Sequence, residues 1–279
     1  MRPHIEFIHS NDMPWQPHPV GAARTDVKHK MLSIDDTSHE MSVLIQYPAG
    51  WSRNTGERLS VDEEIFVLEG ELQIGGIRYD EGCYAHLPAG YVREPSSESP
   101  NGAVVLTFYS GKPSSADDNI RYDAARLVTK IALYEEGWDS DYVGINSPEI
   151  AGSGSRKKLL RTDPDNGDQT WIMGIIPSYQ ETKVESHPVV QECFMISGDM
   201  AGNLGLLVKG SYFWRPRDIL HGPYGTKTGC TILSRSKGGS LVVDYYDLAE
   251  PFSFNATHRV SVPEELVVYS QEKYPEKRY

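Results

Sequence analysis

Hydrophobic and polar positions alternate along this chain in short runs rather than in helical stripes. Segments such as "EMSVLIQY" (40–47), "EIFVLEGELQIGG" (64–76), "AVVLTFYS" (103–110), "TWIMGIIP" (170–177), "CTILSRS" (230–236) and "SLVVDYYDL" (240–248) are rich in β-branched and aromatic residues. Gly, Pro, Asp and Asn separate them, which is the punctuation of strands joined by turns. Helical periodicity is scarce. The best candidates are "DDNIRYDAARLVTKIAL" (117–133) and "PEELVVYSQEKY" (263–274), both peripheral. Many short strands with frequent turns predict an all-β fold of the sandwich or barrel type.

The pattern also repeats. "EEIFVLEGEL" (63–72) aligns with "QECFMISGDM" (191–200), and "PAGYVREPSSESPNGAVVLTFYSG" (88–111) aligns with "PRDILHGPYGTKTGCTILSRSKGG" (216–239), each pair 128 residues apart. "KHKMLSIDD" (28–36) faces "SRKKLLRTD" (155–163) near the same offset, and Trp15 has a counterpart in Trp138. One offset held across three blocks predicts an internal duplication. The expected division is a domain at 1–125 and a second at 126–279.

Both repeats read Gly-x5-Pro-x-(Gly/Asp)-x2-(Arg/His), as "GCYAHLPAGYVR" (82–93) and "GSYFWRPRDILH" (210–221). With a Glu or Gln some seven residues ahead of a hairpin Gly, this resembles the two-motif signature of the cupins. Nearly the whole chain is covered, as a bicupin. The resemblance implies two tandem jelly-roll barrels of double-stranded β-helix type. Within the superfamily the sequence is similar to the cupins of a zinc-binding bacterial anti-sigma factor and of small C–C-cleaving dioxygenases acting on acetylacetone or dihydroxyacetophenone. The signature is specific for the fold and weak for function, because this fold hosts many chemistries.

In metal-binding cupins the first motif supplies His-x-His-x3,4-Glu and the second one more His. Residues two apart share a strand face, so such ligands converge inside a barrel. Mapped onto "ESHPVVQECFMISGDM" (185–200), Glu185 takes the first His position, His187 the second and Gln191 the Glu position; His221 completes the set. Two imidazoles and two oxygen donors imply one divalent ion per chain: Fe(II) is favoured, and Mn, Ni or Zn also fit. A one-residue register shift would put Glu192 in place of Gln191. In the first repeat the matching positions are Glu57, Leu59, Glu63 and Arg93. No imidazole remains there, and a guanidinium cannot deprotonate to bind a cation. The N-terminal barrel is therefore expected to be metal-free, with Glu57 or Glu63 paired to Arg93, or with Arg93 serving a carboxylate ligand. His86, which corresponds to Trp214, reads as barrel lining.

The pocket-lining candidates are Tyr212 and Trp214 on one face of "GSYFWRP", and Trp171 and Met173 on one face of "TWIMGI". An aromatic, mostly apolar pocket suits a small organic molecule such as a diketone or hydroxy-aryl ketone. The resemblance implies a metal-dependent dioxygenase. Two alternatives stand beside it. One is non-oxidative chemistry of the kind performed by the bicupin ureidoglycine aminohydrolases, which also use Glu, two His and Gln; the other is a non-catalytic metal or ligand sensor. Phosphate-binding Gly loops, a Ser-centred elbow and glycosidase-like carboxylate pairs are absent from the sequence.

Composition narrows the classes further. Among 279 residues, 39% are hydrophobic and 24% charged, the balance of a globular chain with ample core. The formal charge of −12 argues against nucleic acid or an anionic membrane as partner. No run approaches the length of a membrane span, and "MRPHIEFIHSNDMPWQP" lacks the apolar stretch of a secretory signal. Cys83, Cys193 and Cys230 form no CxxC and are expected as reduced, buried thiols in a cytoplasmic protein. The extended "PHIEFIHS" (3–10) is the kind of strand that cupins pair between copies, so a homodimer is expected. The C-terminal tail is expected to form one short helix and then fray.

Overall fold

The computed structural model describes residues 2–17, 24–117, 119–135, 137–138, 154–247, 252–255 and 257–274. The fold is nearly all β, and the chain divides into two compact units. Residues 14–137 with 1–2 form the first; residues 3–13 with 138–279 form the second. The units thus divide differently from 1–125 and 126–279. Strand Val128–Ala132 belongs to the first sheet, and the segment around Ile5–His9 to the second.

Each unit is built on one curled, antiparallel, nine-stranded sheet. In the first, the strands run in the order Val128–Ala132, Cys83–Leu87, Glu63–Ile74, Ala103–Tyr109, Met41–Tyr47, Lys28–Ile34. In the second, the order is Ile5–His9, Ser211–Arg215, Val190–Gly202, Cys230–Lys237, Gln169–Ile175, Ser155–Thr162. A separate two-stranded ribbon joins Lys183–Ser186 to Asp244–Asp247. Alternation decides which residues fill each interior. Ile65, Val67, Leu72, Tyr79 and Val105 pack inside the first sheet. Cys193, Met195, Phe213 and Ile232 pack inside the second, joined by Phe7.

The long strands turn at glycines that no other residue can replace without strain. Gly70 has φ +75° and Gly198 has φ +77°. A Cβ at either would run into a backbone carbonyl oxygen, that of Gly102 or of Gly229. The left-handed backbone and the close approach of the next strand both require glycine there.

The two helical expectations have different outcomes. Within 117–133 the structure has a single 3-10 turn at Ala124–Arg126 followed by strand Val128–Ala132, which pairs with Cys83–Leu87. Val128, Ile131 and Ala132 gain more from closing a sheet edge than from a marginal short helix. The tail forms one short helix, of 3-10 type, at Glu264–Tyr269, and residues 275–279, expected to fray, lie outside the described residues. Among the described residues, no helix is long and apolar enough to cross a membrane. Ile5–His9, expected to pair between copies, pairs within the chain to Ser211–Arg215. All three cysteines are buried free thiols on strands.

Gly198→Ala is expected to cost about 2–3 kcal/mol, because it combines positive-φ strain with a backbone collision. Urea unfolding of the variant against the parent measures it.

Candidate metal centre

The backbone brings the central residues together before their side chains do. Glu185 and His221 exchange two backbone hydrogen bonds, each of 2.9 Å, as an isolated antiparallel bridge. The Asp218 N–H donates to the His187 carbonyl at 2.7 Å, tying the loop after Ser211–Arg215 to the end of strand Lys183–Ser186. Glu185, His187 and His221 therefore converge, and their ligand-type atoms all lie within 4.8 Å of one another.

The orientation of the imidazoles is informative. His187 Nδ1 lies 2.8 Å from the Val242 carbonyl, and His221 Nδ1 lies 2.8 Å from the Ile219 carbonyl. A carbonyl can only accept, so each Nδ1 carries the hydrogen and each Nε2 turns to the centre. There, His221 Nε2 stands 3.2 Å and His187 Nε2 3.7 Å from Glu185 Oε1. His187 Nε2 is buried with no hydrogen-bond partner. With hydrogens on both Nδ1 atoms, two nitrogen lone pairs and a carboxylate oxygen share one small space. Such a cluster needs a cation or extra protons at its centre. The donor set and the outer hydrogen bonds fit a divalent metal.

The charge balance agrees. Burial opposes the ionised form of Glu185, but once His187 and His221 take up the extra protons their hydrogen bonds and positive charge hold it well below the usual carboxylate range. His221 is pushed down by burial and then by the nearby Arg215 guanidinium. The His221 side chain is fully buried, and Glu185 keeps 12% exposure as the opening of the cluster.

Behind this cluster lies a polar network. Gln191 Oε1 accepts from Arg215 Nη1 at 2.6 Å. Arg215 also binds Glu6 through both its Nε and Nη2, and donates to the Tyr224 hydroxyl at 2.7 Å. Gln191, placed among the expected ligands, thus has its oxygen engaged by a guanidinium while its side chain borders the same cavity. Glu192 faces the opposite side of the strand, where it accepts from Tyr212 and Arg235.

The same alternation corrects the pocket assignment. Gln191 sits opposite Arg215 and Glu192 opposite Trp214. Tyr212 and Trp214 therefore share the Glu192 side and do not border the cavity, whereas Trp171 and Met173 do. Leu241 and Val243, just before the ribbon strand Asp244–Asp247, complete an apolar wall. The enclosed space is about 30 Å³. Glu181 also borders it, accepting from the Tyr224 N–H at 2.8 Å and from the Tyr179 hydroxyl at 3.3 Å. Burial, then the charge of Glu185, pushes the Glu181 carboxyl well above the usual range. Glu181 went unnoticed in the sequence, although "ETKVESH" places Glu181, Lys183, Glu185 and His187 on one parity. Glu6 has no local signal at all, since it meets Arg215 across 209 positions.

The matching positions of the first unit are filled differently. Glu57 and Arg93 form the same isolated backbone bridge as Glu185 and His221. Arg93 Nη2 lies 3.3 Å from Glu63 Oε2, and Leu59 is buried. Arg24, absent from the sequence-based set, binds Glu63 through two nitrogens at 2.6 and 2.8 Å and Glu57 at 3.0 Å. Arg53 holds the other oxygen of Glu57 at 2.8 Å. His86 is fixed by the Arg126 carbonyl at 2.7 Å, on the side of the sheet away from this cluster.

The family model described as "Domain of unknown function (DUF4437)" matches residues 6–242. No curated protein matches. Among solved structures, one described as "a putative dioxygenase" from Nostoc punctiforme is similar with a TM-score of 0.76 at 19% identity, covering 88% of this chain and 87% of that one. The protein Ylba of E. coli gives 0.55 at 13% identity, covering 84% and 91%. Oxalate decarboxylase from Bacillus subtilis, in its structure at pH 4.6, gives 0.51 at 12% identity, covering 87% and 78%. These are cupin-fold proteins, and at such identities the likeness carries the fold alone.

The Glu6–Arg215 pair supplies a pH test of the interior. Burial raises the Glu6 carboxyl, but the Arg215 charge and hydrogen bonds from His4 and Arg215 together bring it down to about 2. A depressed carboxylate contributes stability that is full above its unfolded value and lost as pH falls towards its folded one. Glu6→Gln is expected to lose about 3 kcal/mol at neutral pH. Its deficit should shrink as pH falls from about 4.5 to about 2. Urea unfolding of both proteins across that range measures the difference.

Proposed function

This chain belongs to the family described as Domain of unknown function (DUF4437), whose description names no activity, and from its second unit we propose a metal-dependent cupin enzyme acting on small organic molecules. The observation that carries this reading is the convergence of His187 Nε2, His221 Nε2 and Glu185 Oε1, with one buried nitrogen left unpartnered. Glu185, His187 and His221 would hold one divalent ion, with the Gln191 oxygen as a fourth donor if Arg215 releases it. Bound there, the ion would supply Lewis acidity and open positions for substrate oxygens. The chain's own residues do the rest. The Val242 and Ile219 carbonyls fix the imidazole tautomers, Leu241 and Val243 keep water out, and Glu181 borders the reacting space.

We favour an iron-dependent dioxygenase of diketone-like or hydroxy-aryl ketone-like compounds, in line with the small dioxygenase cupins. A space of about 30 Å³ holds little more than water. An aryl ketone therefore requires the wall formed by Leu241 and Val243 to move outward. The placement of Glu181 beside Glu185 and His187, where burial and the Glu185 charge raise its carboxyl, favours a second reading, non-oxidative proton-transfer chemistry such as hydrolysis, decarboxylation or isomerisation. We also read the two sheets as duplicated cupin barrels, supported by the Glu57–Arg93 and Glu185–His221 bridges at one offset. The first is the metal-free one, its centre neutralised by arginines.

Purified protein is expected to carry one equivalent of metal per chain. His187→Ala and His221→Ala should each lower occupancy about tenfold or more while the protein stays folded. Arg93→Ala should leave metal content unchanged and cost stability by stranding Glu63. Elemental analysis measures these; two equivalents per chain would overturn the assignment. Oxygen consumption with β-diketones and hydroxy-aryl ketones then separates the dioxygenase reading from the proton-transfer one.

A further inference from the structure

Among the described residues of the second unit, Lys157 carries a buried charge with no carboxylate beside it. Lys157 is 3% exposed and lies on strand Ser155–Thr162, directly opposite Met173. Cross-strand partners share a face, so Lys157 projects to the side where Ser155, Met173 and Ile175 border the cavity. Its ammonium rests over the Trp171 ring at 4.5 Å and donates to the neutral Gln169 Oε1 at 3.3 Å. No carboxylate among the described residues pairs with it. The buried arginines differ in this respect: Arg24, Arg93, Arg215 and Arg235 each face a glutamate.

Taking an ammonium out of water without a partner is costly, and a π face plus one amide oxygen repays only part of the cost. The amine is accordingly pulled down to about 8, and burial is the one cause. Trp171, on which the ammonium rests, is itself a wall of the cavity that holds Glu185 and His187. Lys157 lies behind that wall and does not itself line the cavity, and its four-carbon stem is the freedom by which the ammonium would swing from the ring towards Ser155 and Met173.

We propose that Lys157 is an anion-binding residue of this cavity, and that the molecule taken there is a small organic anion. One charged oxygen would meet Lys157 while another faces Glu185, His187 and His221; the second contact rests on the metal reading above. Even a compact carboxylate exceeds the enclosed volume of about 30 Å³, so its entry also requires the wall of Leu241 and Val243 to move outward.

Acetate and its neutral isostere acetamide provide the probe, as shifts in melting temperature at constant ionic strength with metal content measured in parallel. Acetate should raise the melting temperature of the parent protein and acetamide should not. Lys157→Met should weaken the acetate effect about tenfold or more, since a charge-assisted hydrogen bond is lost. Its melting temperature without acetate should be unchanged or raised, because an uncompensated charge has gone. Lys157→Gln should behave alike and guards against misfolding of the methionine variant. Lys157→Arg should retain part of the acetate shift. Equal shifts by acetate and acetamide, or an acetate shift that survives in both uncharged variants, would overturn the proposal. So would a marked fall in melting temperature of both variants without acetate, which would make Lys157 structural. Failure of the metal reading gives a different result: no bound metal in the parent, with an acetate shift that still depends on Lys157.

Discussion

The interior of each curled sheet contains ionised groups, and a charge taken out of water must be matched within a few ångströms. In the second unit Arg215 is matched by Glu6, supplied by a strand at the far end of the chain. In the first unit Glu57 and Glu63 are matched by Arg24, Arg53 and Arg93. Such pairs gain little over well-packed hydrocarbon, but leaving either partner alone is expensive. They therefore specify which segment must close which sheet. The Ile5–His9 strand is held to the second unit by its backbone ladder and by this charge requirement together.

The same backbone bridge serves two chemistries. Glu57 with Arg93, and Glu185 with His221, are paired alike. Replacing imidazole by guanidinium turns a cluster that demands a cation into one that supplies its own. Arg24 completes that substitution by bonding to both Glu57 and Glu63. In the second unit Arg215 stands further back, bound to Gln191 and Tyr224, and the three donor atoms stay facing one another. Where the arginine sits, more than how many acids there are, separates the two interiors.

Period-two alternation made the β architecture readable in the sequence, and the resemblance to the cupin motifs pointed to Glu185, His187 and His221, which the fold brings together. Each of those residues owes its position to local backbone pairing that the motif spacing already encodes. Three kinds of feature were not readable. Val128–Ala132 resembled a helix because its pattern suits either element until a sheet edge is available. Tyr212 and Trp214 were put on the cavity side because one strand has two faces, and only its register with Gln191 tells them apart. Arg24 and Glu6 depend on contacts between distant segments, which carry no local signature, and Lys157 depends on the register of its strand with Gln169–Ile175.

Those unreadable residues share a property that bears on how the site works. Arg24 and Glu6 neutralise charge that the fold itself buries, and their partners are all internal. Lys157 is buried as deeply, yet its surroundings offer a ring and an amide in place of a carboxylate. Glu185 presents the complementary case, a carboxylate whose two imidazole neighbours direct nitrogen lone pairs at it. Trp171 lies between the two, touching the ammonium and bordering the cavity that the carboxylate opens into. A site with an unmatched ammonium behind its Trp171 wall and a cation-demanding cluster within it is incomplete by the charge matching that Arg24, Arg93 and Arg215 show. An anion bridging Lys157 to a metal held by Glu185, His187 and His221 would satisfy both walls at once. Charge balance inside the second unit is then a property of the loaded protein, whereas the first unit reaches it alone.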